Sequence, residues 1–257
     1  MKPYPKITII TATYNAERYL EQSINGIYEQ RYPNLEYIIV DGGSKDTTID
    51  IVKKNSSKIT YWISEPDSGI YDAWNKGINK SSGDWVMFLG SDDILLPGAL
   101  HNYAEFINKL SSPVDYISSK MEMFDGNMNF IRVKGWRWEW PRFLREMTVA
   151  HPGSLHSRTL FEEHGKFDIG YKIVGDYEFL LRPGAKLKTA YLDAITVIMR
   201  EGGASDSWAA IREQYRASTQ TGKYSALHAA ANMYYSGSKF YTKKYLRALG
   251  VNAYLRK

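Results

Sequence analysis

TIITATYNAERYLEQSINGIYEQRYPNLEYIIVDGGSKDTT, residues 8–48, is the stretch that decides the fold. Residues 6–12, KITIITA, are a β-branched run ending in small polar residues, which predicts a buried strand. From Ala16 to Gln30 the apolar residues Tyr19, Leu20, Ile24, Ile27 and Tyr28 recur at helical spacing. YIIVDGG, residues 37–43, predicts a second strand closed by an acid and two glycines. Ser44 is then an N-cap candidate for a helix with Ile49 and Val52 on its inner face.

The alternation continues downstream. ITYWISEPDSG, residues 59–69, predicts a third strand stopped by Pro66, and IYDAWNKGINKS a third helix. WVMFLG is a fourth strand, and Pro97-Gly98 turns the chain into a helix from Leu100 to Leu110. Strand and helix alternate four times in about 110 residues, with connections of crossover length, which predicts an open, mostly parallel α/β sheet. Ligands of such sheets bind beyond the carboxyl ends of the strands. Those ends read TATYN, DGGSKD, SEPDSG and GSDD, and three of the four carry acids.

After about residue 112 the pattern changes. A hairpin is expected over 114–135 around Asp125-Gly126-Asn127, and in WRWEW, residues 136–140, a strand would put Trp136, Trp138 and Trp140 on one face. Such a face suits sugar stacking, a membrane interface or plain packing. A later strand, KTAYLDAITVIMR, precedes Gly-rich EGGASDS, where residues 202–205 are either a flap over the donor or a simple turn. The remainder reads as helical.

Composition narrows the chemistry. The chain has 257 residues, enough for one sizeable core, and no cysteine, so disulfides, thiolate metal sites and a cysteine nucleophile are excluded. The apolar run of MKPYPKITIITATYN is too short for a signal peptide, and no stretch approaches the roughly 20 apolar residues of a membrane span. A soluble or surface-attached, cytoplasmic protein is expected. Net charge is +5, and no acid follows Glu213, whereas Arg216, Lys223, Lys239, Lys243, Lys244, Arg247, Arg256 and Lys257 do. That tail calls for an anionic partner or surface, a solvated helix or an oligomer contact. Nucleic acid is not expected, because no binding motif accompanies the charge.

At the strand ends, neither G-x-G-x-x-G nor a P-loop accompanies Gly42 and Gly43, which removes the usual dinucleotide and triphosphate readings. Asp41 either accepts hydrogen bonds from a nucleobase or ribose, with the glycines allowing close approach, or caps the next helix. Asp92 and Asp93 suit Mg²⁺ or Mn²⁺ shared with substrate phosphates; in the plain alternative Asp93 caps the following helix and Asp92 is solvated. Asp176 in IVGDYEFLLR is either a general base or an acid at a helix N-terminus. His151 is a third metal ligand, an acceptor or phosphate contact, or a structural histidine.

Taken together, TIITATYNAERYLEQSINGIYEQRYPNLEYIIVDGGSKDTT, SEPDSGIYDAWNKGI and SGDWVMFLGSDDILLPGAL resemble the family 2 glycosyltransferases of GT-A fold, especially bacterial members that build surface polysaccharides. The resemblance covers residues 4–110 strongly and 147–182 more weakly, through HPGSLHSRTLFEEHGKFD and GDYEFLLR. It implies transfer of a sugar from a nucleotide sugar, most often a UDP-sugar, with inversion and a divalent ion, Mn²⁺ or Mg²⁺, on the diphosphate. By position, Thr11, Ala12, Tyr14, Asp41 and Asp67 would line the nucleoside site, with Asp41 reading the base, and Ser44 and Asp46 would continue that loop. Asn75 and Lys76 would lie near the diphosphate or sugar. On the flap reading of residues 202–205, the preceding Arg200 is available to the diphosphate. Asp92 would hold the metal, helped by Asp93 or His151, and Asp176 would be the base. The family's acid-x-acid motif reads Gly90-Ser91-Asp92 here, so its first acid is missing.

The resemblance divides the chain into a catalytic domain over 1–205, with a nucleotide-sugar half at 1–110 and an acceptor half at 111–205, and a basic helical extension over 206–257. A saccharide or lipid-diphosphate-linked acceptor on the cytoplasmic leaflet would give that extension a purpose. The rival functions are an inactive nucleotide-sugar-binding module or partner subunit, and a nucleotidyltransferase, whose glycine-rich basic phosphate loop is not seen in TATYNAERY.

Overall fold

The computed structural model describes residues 3–201, 203 and 205–248. Its first half is four parallel strands, β1 (Ile7–Thr13), β2 (Leu35–Asp41), β3 (Tyr61–Ser64) and β4 (Trp85–Phe88), in the spatial order β3-β2-β1-β4. Helices α1 (Leu20–Tyr28), α2 (Thr48–Lys54) and α3 (Ile70–Lys80) make the crossovers. After β4 come β5 (Ile94–Leu95), α4 (Ala99–Lys109), β6 (Tyr116–Phe124), β7 (Phe130–Lys134), α5 (Trp140–Phe143), β8 (Leu155–Ser157), α6 (Arg158–His164), α7 (Gly175–Leu181), β9 (Thr189–Arg200), α8 (Trp208–Gln220) and α9 (Ala226–Ala248). The sheet continues β4-β8-β6-β9-β5, with β7 added to β6. Most of its paired residues are parallel, and the antiparallel pairs involve the short later strands.

The apolar runs of the first strands are covered on both faces, as parallel strands require. Ile7 and Ile9 pack with Leu20, Ile24 and Ile27 of α1, Val52 of α2 and Leu100 and Tyr103 of α4. Ile10, Ile38 and Val40 turn to the other face, under Tyr71, Trp74 and Ile78 of α3 and Tyr177, Phe179 and Leu180 of α7. Strand order reverses at β1, flanked by β2 on one side and β4 on the other, so a crevice opens beyond Thr13 and Phe88.

Three local expectations are corrected. Helix α1 starts at Leu20 rather than Ala16, because Asn15 takes the left-handed backbone (φ 48°) and the N–H of Ala16 donates to Thr48 Oγ1 at 2.8 Å. Ser44 does not cap α2: the cap residue is Thr47, and Asp46 accepts from the N–H and hydroxyl of Thr48. WRWEW is not a strand, because Trp140-Pro141 opens the short helix α5. Trp138 stacks on Trp140 and Phe143, while Trp136 stands apart with the Arg142 guanidinium 5.1 Å from its ring. The hairpin forms as expected, its turn closed by Asp125 accepting from the N–H groups of Asn127 and Asn129. Among the described residues no helix is long and apolar enough to cross a membrane.

Candidate active site

At the end of β2, Asp41 is fully buried and accepts from five protein donors. Oδ1 takes the hydroxyls of Thr13 (2.9 Å) and Ser44 (2.5 Å), and Oδ2 takes the N–H groups of Gly43 and Ser44 (both 2.9 Å) and the Ser64 hydroxyl (2.7 Å). Burial works to raise its pKa, and these hydrogen bonds outweigh it, so the carboxyl stays below its ordinary value. A carboxylate offers about four lone-pair sites, so the expected reading of a base by Asp41 finds no acceptor left. Asp41 instead organises the loop. Ser44 accepts from the N–H of Asn15, Asn15 from that of Lys45, Asp46 from that of Glu17, and Glu17 from Thr47. Asn15 and Glu17, unremarked in the sequence, thus tie the β1 and β2 loops together.

The half-buried carboxylate next to this loop is Asp67. Its Oδ1 accepts from Gly69 N–H at 2.8 Å, and its Oδ2 lies 2.6 Å from where a Cβ on Gly42 would stand. A side chain at Gly42 would therefore have to push this carboxylate aside. Around it, Tyr14 is exposed and Ala12 half-buried, whereas Thr11 is fully buried and its hydroxyl accepts from the Tyr37 hydroxyl at 3.4 Å. Asn75 and Lys76, expected beside the diphosphate or sugar, spend their polar groups on the protein. Asn75 donates to and accepts from the backbone of Phe167, and Lys76 binds Pro66 O and Glu65, both at 2.9 Å.

The turn after β4 separates the two adjacent acids. Asp92 is exposed, and its carboxylate makes no hydrogen bond among the described residues. Asp93 is buried and accepts from Gly90 N–H at 2.9 Å, so it closes this turn and does not cap α4, whose cap residue is Gly98. Burial and the neighbouring Asp92 charge push Asp93 up to about 7. A Cβ on Gly90 would meet Asp93 Oδ2 at 2.7 Å and Asp92 Oδ1 at 3.0 Å, so a side chain at that position would have to push these carboxylates aside. Arg200, at the end of β9, is buried beneath the turn: it donates to Asp92 O and Gln22 Oε1 (2.9 Å), and its guanidinium lies 4.2 Å from the Tyr19 ring centroid. Gly202 and Ala204 of the expected flap lie outside the described residues.

Among the described residues no three His, Asp or Glu side chains converge as a metal cage, so Asp92, Asp93 and His151 do not form one. An exposed carboxylate with unspent lone pairs, such as Asp92, nevertheless fits an ion that draws its remaining ligands from substrate phosphates and water. Ser91 neighbours it in the same turn.

Across the end of β4 lies Asp176, in the first turn of α7. Its Oδ1 accepts from Tyr177 N–H (2.9 Å) and the Tyr71 hydroxyl (3.1 Å), while Oδ2 accepts no hydrogen bond among the described residues and faces His151 Nδ1 at 3.8 Å. Burial raises the carboxyl to about 6, against the Tyr177 and Tyr71 hydrogen bonds and the Lys134 charge. A fifth of the side chain stays exposed, 21 %. His151, held neutral by burial at about 3, is stacked on Phe88 and Trp74, and Gly153 N–H donates to Phe88 O. The histidine thus joins Asp176 to the end of β4.

Two residues on, Glu178 turns away from the crevice: it pairs with Arg182 (2.6 Å) and accepts from Thr221 (2.9 Å). The loop leading into α7 is fixed from α8, where Glu213 accepts from the N–H groups of Lys172, Ile173 and Val174 at 2.9–3.1 Å. Tyr71 and Glu213 carried no signal beyond an aromatic residue beside a motif acid and the last acid before the basic tail.

A family model described as glycosyl transferase family 2 matches residues 8–158. A PGL/p-HBAD biosynthesis glycosyltransferase of Mycobacterium bovis is 29 % identical over 210 residues, 79 % of this chain and 80 % of that protein. An uncharacterised glycosyltransferase of Mycobacterium tuberculosis is 31 % identical over 189 residues, 71 % of this chain and 70 % of that one. Among solved structures, S. aureus TarS 1-349 in complex with UDP-GlcNAc superposes with a TM-score of 0.65 at 19 % identity, covering 89 % of this chain and 70 % of that chain. The mannosyltransferase PcManGT from Pyrobaculum calidifontis, in complex with GDP-Man and Mn²⁺, gives 0.64 at 17 %, covering 99 % and 77 %. The sheet and its flanking helices are the GT-A fold.

Proposed function

The chain belongs to glycosyl transferase family 2, and within that family we propose that it is an inverting transferase moving a sugar from a UDP-sugar to a hydroxyl of a saccharide or lipid-linked saccharide. The observation that carries this reading is the asymmetry of Asp176. One oxygen is fixed by Tyr71 and Tyr177, and the other accepts no hydrogen bond among the described residues. A group whose ionisation lies near 6, oriented through one oxygen, is what a general base for a hydroxyl requires.

In the proposed reaction the acceptor oxygen attacks the anomeric carbon from the side opposite the diphosphate. The new glycosidic bond forms as the bond to the diphosphate breaks, and the hydroxyl proton passes to Asp176 Oδ2. One displacement inverts the anomeric centre, and no covalent enzyme intermediate is needed. On the donor side, Asp67 Oδ2 supplies the acceptor that an imide N–H such as that of uracil needs. When bound, Mg²⁺ or Mn²⁺ stabilises charge on the departing diphosphate as a Lewis acid, with Asp92 as its protein ligand. The ligands of TarS and PcManGT, a UDP-sugar and a GDP-sugar with Mn²⁺, make nucleotide choice the first thing to measure.

The test is a thermal-shift screen of UDP- and GDP-sugars with and without Mn²⁺, because a ligand of the native state raises the melting temperature. Release of UDP with acceptor then reports turnover. Asp176→Asn is expected to lose about 10²-fold or more in rate while keeping nucleotide affinity. Binding without turnover in the unaltered chain would make it a nucleotide-sugar-binding module, and no shift with any nucleotide sugar would defeat the donor reading.

A further inference from the structure

Between β7, the segment after α5 and the face of α9 lies a cavity of 520 Å³ that the donor side does not use. Five cations line it against two carboxylates, Glu146 and Asp206. Asp206 is engaged by Lys243 at 3.0 Å, and Glu146 lies 4.0 Å from Arg142. Arg132, Arg145 and Lys239 have no carboxylate partner among the described residues; Lys239 lies 4.0 Å from the Tyr235 ring centroid, and Arg145 is exposed. Arg132 Nε is also buried without a hydrogen-bond acceptor, a costly state for a guanidinium N–H unless a ligand completes it. The groove has aromatic walls as well, Trp136 on one side and Tyr235 and Phe240 of α9 on the other. Lys134 also lines it, and its charge acts on the Asp176 carboxylate.

We propose that this groove holds a phosphoryl or diphosphoryl group of the acceptor, gripped by Arg132, Arg145 and Lys239, so that the saccharide it carries reaches Asp176. The inference rests on the transferase reading and deepens it by assigning the acceptor's chemical class and its seat. Unpaired guanidinium groups favour this class, since their fork of donors matches phosphate oxygens. Aromatic faces beside them suit the sugar or hydrocarbon attached to the phosphate. A neutral saccharide would leave the buried Arg132 Nε without an anionic acceptor.

The test is calorimetric titration of the full chain with inorganic pyrophosphate, in chelator and with excess UDP to fill the donor side. Losing two or three charge-assisted contacts, the Arg132→Gln/Arg145→Gln/Lys239→Gln variant should bind pyrophosphate at least about tenfold more weakly. A charge-matched Lys53→Gln/Lys109→Gln/Lys186→Gln variant should stay within about twofold, because those cations are exposed and none of them lines the groove. Equal weakening in both variants, or in neither, overturns the proposal. Vesicles of phosphatidylglycerol and of phosphatidylcholine form the second arm: groove-dependent binding to the anionic vesicles without pyrophosphate binding would make the groove a membrane contact and also overturn it. UDP thermal shift on the same samples controls for folding. Its absence in the unaltered chain fails the donor reading, while the comparison of the two variants remains decisive for the groove.

Discussion

Tyr71 is the residue on which the chemistry of Asp176 turns, because among the described residues its hydroxyl is the one side-chain donor to the carboxylate. Burial and the Asp176 charge raise the Tyr71 phenol well above its ordinary value, so it remains a donor throughout the working range. In Asp176 a raised pKa means that the base is protonated and idle below about 6 and active above it. The rate of transfer should therefore rise with pH through about 6. Tyr71→Phe removes a hydrogen bond that favours the ionised form, so the acid limb of kcat/KM should move to higher pH while the alkaline plateau persists. A limb that stays in place would show that Asp176 is not the titrating base. The sequence made Asp176 legible as an acid at a helix start but not its two unlike oxygens. The same blindness applies to Asn75, Lys76 and Asp41, which stand in motif positions yet bond inward, because spacing reports which residues reach a region and not what their polar atoms meet.

At the scale of elements, the crevice is built by loops that hold one another. Gly42 lets the β2 loop pass under Asp67, and Gly42→Ala would force that carboxyl to turn aside. Since Asp67 can rotate, stability should change little, while UDP affinity falls by roughly tenfold or more as one charge-assisted bond is lost. Titration of UDP into the variant measures this, and unchanged affinity would take Asp67 out of the site. Helix α8 plays the matching part on the acceptor side: Glu213 gathers three N–H groups of the loop that precedes Asp176, and Arg216 sits 3.8 Å over the Tyr171 ring. Glu213→Gln keeps one acceptor and loses the charge, so it should lower kcat and leave UDP affinity intact; a fall in UDP affinity with kcat preserved would contradict a positioning role. The parallel strands were readable because each is a short apolar run between turn residues. Strands β5 and β8, two and three residues long, were not, because their pairing with β9, β4 and β6 is set by contacts far away in sequence.

Over the whole molecule, three buried titratable groups and the half-buried Asp176 pull stability in opposite directions with pH. Asp93 and Asp176, raised to about 7 and about 6, hold protons more tightly when folded. Their contribution is complete below the ordinary carboxylate range and drains as pH rises through those values. His151, lowered to about 3, and His156, lowered well below the ordinary imidazole value, are neutral in the aromatic core between the sheet and α7, and bind protons only when unfolded. Their contribution is complete above about 6.5 and drains as pH falls. Between about pH 5 and 7 the two pairs nearly cancel, so the melting temperature in chelator should be almost flat there. Below about pH 4 it should drop, because Glu36 and Asp41, whose pKa values are lowered in the fold, then join the histidines. Asp93→Asn keeps an acceptor for Gly90 N–H and removes one arm of the balance. Stability of that variant should climb with pH across the window, by up to roughly 1.4 kcal/mol per pH unit. The same flat profile in the variant and the unaltered chain would mean that Asp93 ionises normally, and that the close packing under Gly90 does not hold the second acid out of water.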